Sequence, residues 1–216
     1  MKNNNKIFLG EFIASCFLVM VIVGSGIMAE NLTNDNAVRL LANTIATGAG
    51  LFVLITAFAN ISGAHLNPFV SLSMYLTKRI KGKDLLIYIP AQILGCILGV
   101  ILANVFFEHS ILELSSKSRD GFHIFLAEIV ATFGLIFIIF ATLKDGKHTV
   151  AACVATYISA GYWFTSSTSF ANPAVAIART FTDSFTGINY LNTPTYILAE
   201  FLGALIAVYF IKKLIK

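Results

Sequence analysis

Two stretches decide the fold of this chain: Asn60-Ile61-Ser62-Gly63-Ala64-His65-Leu66-Asn67-Pro68 and Ser166-Ser167-Thr168-Ser169-Phe170-Ala171-Asn172-Pro173. Each is an irregular run of small and polar residues closed by an Asn-Pro pair. Helix-forming residues follow both, Phe69 to Lys78 and Ala174 to Thr182. Asn is a favoured helix N-cap, and Pro is tolerated at the first helical position because its missing N–H would have no intrahelical partner there. Each Asn-Pro therefore predicts the start of a short helix.

The surroundings of these stretches are apolar. Of 216 residues, 57% are hydrophobic and 12% charged, with a mean hydropathy of +0.81. That is too apolar for a soluble core with a wetted surface. A membrane-crossing helix needs about 20 mostly apolar residues, and six runs qualify: Ile7 to Ala29, Ala37 to Ala59, Leu85 to Phe107, Phe122 to Leu143, Thr149 to Thr165 and Thr195 to Ile211. The first run holds Glu11 and is followed by no small-residue cleavage pattern, so it reads as a span and not as a secretory leader. Cys16, Cys96 and Cys153 sit in apolar runs without CxxC spacing and read as small buried hydrophobes, so neither a disulfide nor a metal site is implied.

Eleven of the fifteen Lys and Arg residues fall at one set of loop ends: Lys2, Lys6, Lys78, Arg79, Lys81, Lys83, Lys144, Lys147, Lys212, Lys213 and Lys216. Arg39, Lys117, Arg119 and Arg179 fall at the other. By the positive-inside bias both termini are expected in the cytoplasm. The net charge of +4 is then a topology signal, and no nucleic-acid partner is expected.

The chain also repeats itself. Gly10-Glu11-Phe12-Ile13-Ala14-Ser15 echoes Ala127-Glu128-Ile129-Val130-Ala131-Thr132, and the two Asn-Pro boxes echo each other. Ala91-Gln92-Ile93-Leu94-Gly95-Cys96 echoes Ala199-Glu200-Phe201-Leu202-Gly203-Ala204, and the three offsets are 117, 105 and 108 residues. Three spans per repeat is an odd number, so the second half lies upside down relative to the first. The expectation is an all-α membrane protein: one domain over 1–216, with inverted halves 1–110 and 118–216, six transmembrane helices and two re-entrant half-helices.

Two half-helices of roughly 12 residues placed end to end reach about 36 Å and replace one further span. Lipid does not tolerate the irregular backbone leading into them, which must line a cavity or be held by protein. A pore follows. Carbonyls of Gly63, Ala64, His65, Thr168, Ser169 and Phe170 are expected along its wall, with Asn67, Pro68, Phe69, Asn172, Pro173 and Ala174 at its centre. Two helix N-termini place roughly half a positive charge each at the midplane, which opposes protons and metal cations. A neutral hydroxylated solute can exchange water hydrogen bonds for the carbonyls and the two amides.

Glu11 and Glu128 hold equivalent places and are expected to accept bonds from backbone N–H groups of the adjacent re-entrant segment. Glu200, whose counterpart is Gln92, is left with no role beyond a helix-packing hydrogen bond. Gly95 to Gly99 and Gly203 to Ala207 have the small-xxx-small spacing of closely packed membrane helices. His65 is expected to fix its loop, and Tyr162-Trp163-Phe164 to form an interfacial aromatic belt with packing.

Ser62-Gly63-Ala64-His65-Leu66-Asn67-Pro68 and Asn172-Pro173-Ala174, with Glu11 and Glu128 ahead of them, closely resemble the aquaporin and aquaglyceroporin (major intrinsic protein) family over essentially the whole chain. The resemblance implies one pore per subunit, a homotetramer, no cofactor, no enzymatic activity and small neutral solutes as cargo in a bacterial inner (plasma) membrane. The chain departs from the water-selective pattern at Phe69, where the family usually has Ala. It departs again at Val175, where most members carry the arginine of the outer constriction. By spacing, the resemblance gives the remaining constriction positions as Ser169, Ala160 and Ala49, with Thr47 as the alternative to Ala49. That set implies a wide, weakly polar filter. Arg179, one turn beyond Val175, either places a charge in the outer vestibule or is merely solvated. Val175 followed by Ala-Ile-Ala-Arg and Thr182-Asp183 resembles the bacterial arsenic-resistance branch, which implies glycerol-like polyols, water and arsenite as solutes. The competing reading is a secondary transporter, which also uses inverted repeats and broken helices, but the central groups here are neutral asparagines where ion coupling needs carboxylates.

Overall fold

The computed structural model describes residues 3–215, and those residues form helices and loops with no strand among them. Lys2 and Lys216 of the basic set lie outside the described residues. Six long helices are present: α1 (Asn3–Leu32), α2 (Asn36–Phe58), α4 (Gly82–Phe106), α5 (Phe122–Thr142), α6 (Lys147–Phe164) and α8 (Thr193–Leu214). Two short ones, α3 (Pro68–Leu76) and α7 (Pro173–Ala178), begin at the Asn-Pro pairs. Five of the long helices are apolar enough to cross a membrane by length and composition. The remaining one, α6, has 18 residues, about 27 Å of helix, opens with the polar run Lys147-His148-Thr149, and packs against α2 and α5.

The half-helices are shorter than the sequence suggested. α3 has nine residues, and α7 has six before tightening into a 3₁₀ turn over Arg179–Phe181. Together they still cover about 28 Å, close to one hydrocarbon thickness. Each is started as its residues dictate. Asn67 and Asn172 are extended N-caps, the Asn67 Oδ1 accepting from Phe69 N at 2.9 Å and the Asn172 Oδ1 from Ala174 N at 3.1 Å.

Packing pairs α1 with α4 and α5 with α8, while α2 runs between α1 and α6; α3 and α7 touch each other in the middle. The close pairs rest on glycine. A Cβ at Gly95 or Gly99 would stand 2.3 Å from the carbonyl oxygen of Phe12 or Cys16 on α1, and one at Gly203 would stand 2.4 Å from that of Ile129 on α5. The outward faces are greasy: Leu86 and Phe122 are each 78% exposed, and Phe17, Val53, Leu94 and Leu198 are exposed too. So much bare apolar surface is stable only against lipid, and the chain is a multi-pass membrane protein. Lys78, Arg79, Lys81, Lys83, Lys144, Lys147, Lys212 and Lys213 gather at the termini-side ends of the helices. Arg39, Lys117, Arg119 and Arg179 gather at the far ends.

Candidate pore

A cavity of about 490 Å³ runs beside the meeting point of α3 and α7, from Arg79 and Lys147 at the termini side to Tyr162, Val175 and Arg179 at the far side. Asn67 and Asn172 both line it. Their amide nitrogens cross over: Asn67 Nδ2 donates to the Ala171 carbonyl at 2.6 Å, and Asn172 Nδ2 donates to the Leu66 carbonyl at 2.7 Å. These paired bonds lock the two segments together. Each NH₂ carries two hydrogens, so one N–H per asparagine is left over for a molecule in the cavity.

The loops leading to the asparagines adopt one unusual backbone twice. Gly63, Ala64 and Leu66 have φ of 98, 50 and 53°, and Thr168, Ser169 and Ala171 have 64, 48 and 47°. Left-handed conformations are disfavoured for residues bearing a Cβ by roughly 1–2 kcal/mol each. They persist because buried carboxyls hold the turned N–H groups. Glu11 accepts from His65 N at 3.0 Å, Leu66 N at 2.7 Å, Ser62 Oγ at 2.6 Å and Gln92 Nε2 at 2.8 Å. Glu128 accepts from Phe170 N at 2.9 Å and Ala171 N at 2.8 Å. With the N–H groups turned back toward the carboxyls, the carbonyls of Gly63, Ala64, His65, Ser169 and Phe170 belong to residues that line the cavity.

Glu200 also joins this scaffold, because its Oε1 accepts from Asn172 N at 2.9 Å. Sequence reasoning gave it no such role, since the twin at Gln92 hid it. His65 holds its loop: Nδ1 lies 3.0 Å from Ser71 Oγ and the ring stacks on Tyr88 at 4.3 Å.

Several expected positions fall elsewhere. Pro68, Phe69, Pro173 and Ala174 start the half-helices but do not line the cavity, and Phe69 turns to the Phe201 ring of α8 at 5.8 Å. Thr168 lines a separate cavity on the far face. Ala49 and Ala160 are exposed and absent from the cavity wall; Thr47 and Tyr162 stand there instead, Thr47 Oγ1 lying 3.1 Å from Tyr162 Oη. A two-residue offset turns a helix by about 200°, which carries a side chain to the opposite face. Tyr162 therefore leaves the aromatic belt, whereas Trp163 and Phe164 are exposed as a belt requires.

The far end of the cavity is consequently more polar than small apolar residues would make it. It combines the hydroxyls of Thr47, Tyr162 and Ser169 with the side chain of Val175. Arg179 is 3% exposed, so it is not a solvated surface charge; its Nε donates to the Thr186 carbonyl, and its guanidinium lies 3.5 Å from the Phe170 ring centre. Among the described residues no cluster of His, Cys, Asp and Glu could hold a metal ion.

The Major intrinsic protein family matches residues 1–210. An aquaglyceroporin AqpS of Rhizobium meliloti is 48% identical over 199 residues, covering 92% of this chain and 85% of its own length. Aquaporin TIP1-2 of Musa acuminata is 31% identical over 211 residues, covering 94% and 83% respectively. The X-ray structure of the aquaglyceroporin from Plasmodium falciparum superposes with a TM-score of 0.77 at 22% identity, over 98% of this chain and 97% of that one, which speaks to the fold.

Proposed function

The chain belongs to the major intrinsic protein family, whose members are channels for water and small solutes and not enzymes, and we propose that it conducts small uncharged polyols, arsenite and water passively while refusing protons and ions. One observation carries this reading: the cavity passes the point where Asn67 and Asn172 are cross-bonded, each with an N–H to spare. A hydroxylated neutral solute can accept from those N–H groups and donate to the carbonyls of the adjoining loops. A hydrated proton or metal cation meets two helix N-termini and their positive dipole ends in a low-dielectric passage. The chain thus acts as one channel domain whose halves, 1–110 and 118–216, each supply one re-entrant segment.

Thr47, Tyr162, Ser169 and Val175 form the constriction. Val175 leaves room where a cation would narrow it, and three hydroxyls exchange hydrogen bonds with a polyol or with arsenite, which is an uncharged trihydroxide at neutral pH. Both termini face the cytoplasm across a plasma membrane, and the exposed apolar faces suit a homotetramer with one pore per subunit.

Stopped-flow light scattering on proteoliposomes tests the function. Glycerol and arsenite should enter without a sodium or proton gradient. Water permeability with no flux of either solute would defeat the wide-constriction reading, and gradient-dependent uptake would defeat passive conduction.

A further inference from the structure

A second cavity, of about 290 Å³, opens on the far face. Its wall carries three cationic side chains, Lys117, Arg119 and Arg179, beside Asn36, Asn43 and Thr168. Lys117 and Arg119 come from the α4–α5 connection and Arg179 from the end of α7. All three are tied to one stretch of backbone. Lys117 Nζ donates to the Phe185 carbonyl at 2.6 Å, Arg119 Nε to that of Gly187 at 2.9 Å and Nη2 to that of Phe185 at 3.1 Å, and Arg179 Nε to that of Thr186.

Those carbonyls satisfy hydrogen bonds without cancelling charge. Among the described residues the one side-chain pair within ion-pair distance is His109 with Glu113, so no carboxylate oxygen stands within 4.0 Å of any of the three cations. Burial, with Arg119 and Arg179 close by, pushes the Lys117 ammonium down to about 8, against a smaller opposite pull from Glu30, whose carboxylate accepts from Phe185 N at 2.7 Å. N–H groups remain free on each, since Lys has three donors and Arg five. Three like charges around a cavity with low-dielectric walls concentrate positive potential there. An oxyanion relieves their mutual repulsion and matches the planar guanidinium fork.

We propose that this cavity binds one small oxyanion of the phosphate or carboxylate class, held jointly by Lys117, Arg119 and Arg179. Because Arg179 lines both cavities, a bound anion sits at the mouth of the passage and slows neutral solutes without itself crossing.

The test is calorimetric titration of the purified full chain, in a zwitterionic detergent, with inorganic phosphate. One phosphate per chain is expected. Lys117→Gln should weaken binding about tenfold, as loss of a charge-assisted hydrogen bond does, and Lys117→Gln with Arg119→Gln should abolish it. Both side chains also hold the 185–187 loop, so Lys117→Arg, which keeps the charge, should restore binding, and Arg39→Gln on the same face should leave it unchanged. No phosphate binding, or equal binding by the double variant, overturns the proposal. So does binding of phosphatidylglycerol in nanodiscs without binding of free phosphate, which would assign the cations to a lipid headgroup.

The slowing of flux rests on the conduction reading. External phosphate should reduce glycerol permeability of the parent protein and not of Lys117→Gln. Unchanged permeability alongside measured binding would remove the blocking role. Absence of glycerol flux in phosphate-free buffer would sink the conduction reading and leave the binding result intact.

Discussion

The two re-entrant segments share a backbone and differ in what holds it. Their left-handed positions correspond one for one, Gly63, Ala64 and Leu66 against Thr168, Ser169 and Ala171. In the first, a single carboxyl does nearly everything: Glu11 accepts four bonds, one of them from Gln92, and Gln92 also donates to Ser71 Oγ at 3.0 Å. In the second, the work is divided. Glu128 accepts two backbone bonds, Glu200 takes the Asn172 N–H, and the carboxyls of Glu128 and Glu200 face each other within hydrogen-bond reach. The same turn can thus be fixed by one acid with an amide or by two acids, because what the geometry requires is acceptors for inward-turned N–H groups, not a particular set of side chains.

That contrast can be broken hardest at Glu11. Glu11→Ala strands two backbone N–H groups, a serine hydroxyl and an amide at once, and each buried unsatisfied group costs about 1–3 kcal/mol. Loss of folded, detergent-stable protein is expected. Glu128→Ala should cost less, about 2–6 kcal/mol for two stranded N–H groups, since Glu200 still holds Asn172. Thermal unfolding in detergent ranks the two, and an equal or reversed order would erase the asymmetry.

A smaller effect separates the helix pairs beneath the loops. Gly95→Val forces a side chain into the Phe12 carbonyl and so pushes α4 off α1, the helix bearing Glu11. A loss of about 1–3 kcal/mol is expected from overpacking, read as a lower unfolding temperature with reduced flux.

The mildest change should be Glu200→Gln. It makes the second segment resemble the first by placing an N–H beside the Glu128 carboxyl, as Gln92 Nε2 stands beside Glu11, and its amide oxygen can still accept from Asn172. Stability should stay within about 1 kcal/mol of the parent or rise. A large loss would mean that Glu200 is needed as an acid.

Much of this was legible in the chain. The Asn-Pro caps, the Glu11 and Glu128 braces and the long helices depend on local chemistry and on paired repetition, both of which spacing records. The lining at the far end of the cavity was not. Ala49 and Ala160 were placed by counting along helices whose rotation depends on packing, and an error of two residues exchanged Ala160 for Tyr162. Thr47, the alternative to Ala49, does stand on the cavity wall. Phe69 was expected at the pore centre, yet it faces Phe201, because α8 offers an aromatic partner that no local pattern reveals. Glu200 was missed because its bond partner, the Asn172 N–H, lies in another segment. The half-helices were overextended because nothing in the apolar run marks where α7 tightens at Arg179.

The central claim is that solutes pass through the cavity between the two Asn-Pro segments. In a Cys153→Ser background, where Cys16 and Cys96 stay buried, cysteine can be introduced at Val175 on the cavity wall or at Ala49 on the exposed face. Glycerol flux is then measured before and after a small polar thiol reagent. Block at Val175→Cys with unchanged flux at Ala49→Cys is the predicted result; block at Ala49→Cys with free flux through labelled Val175→Cys would contradict the account.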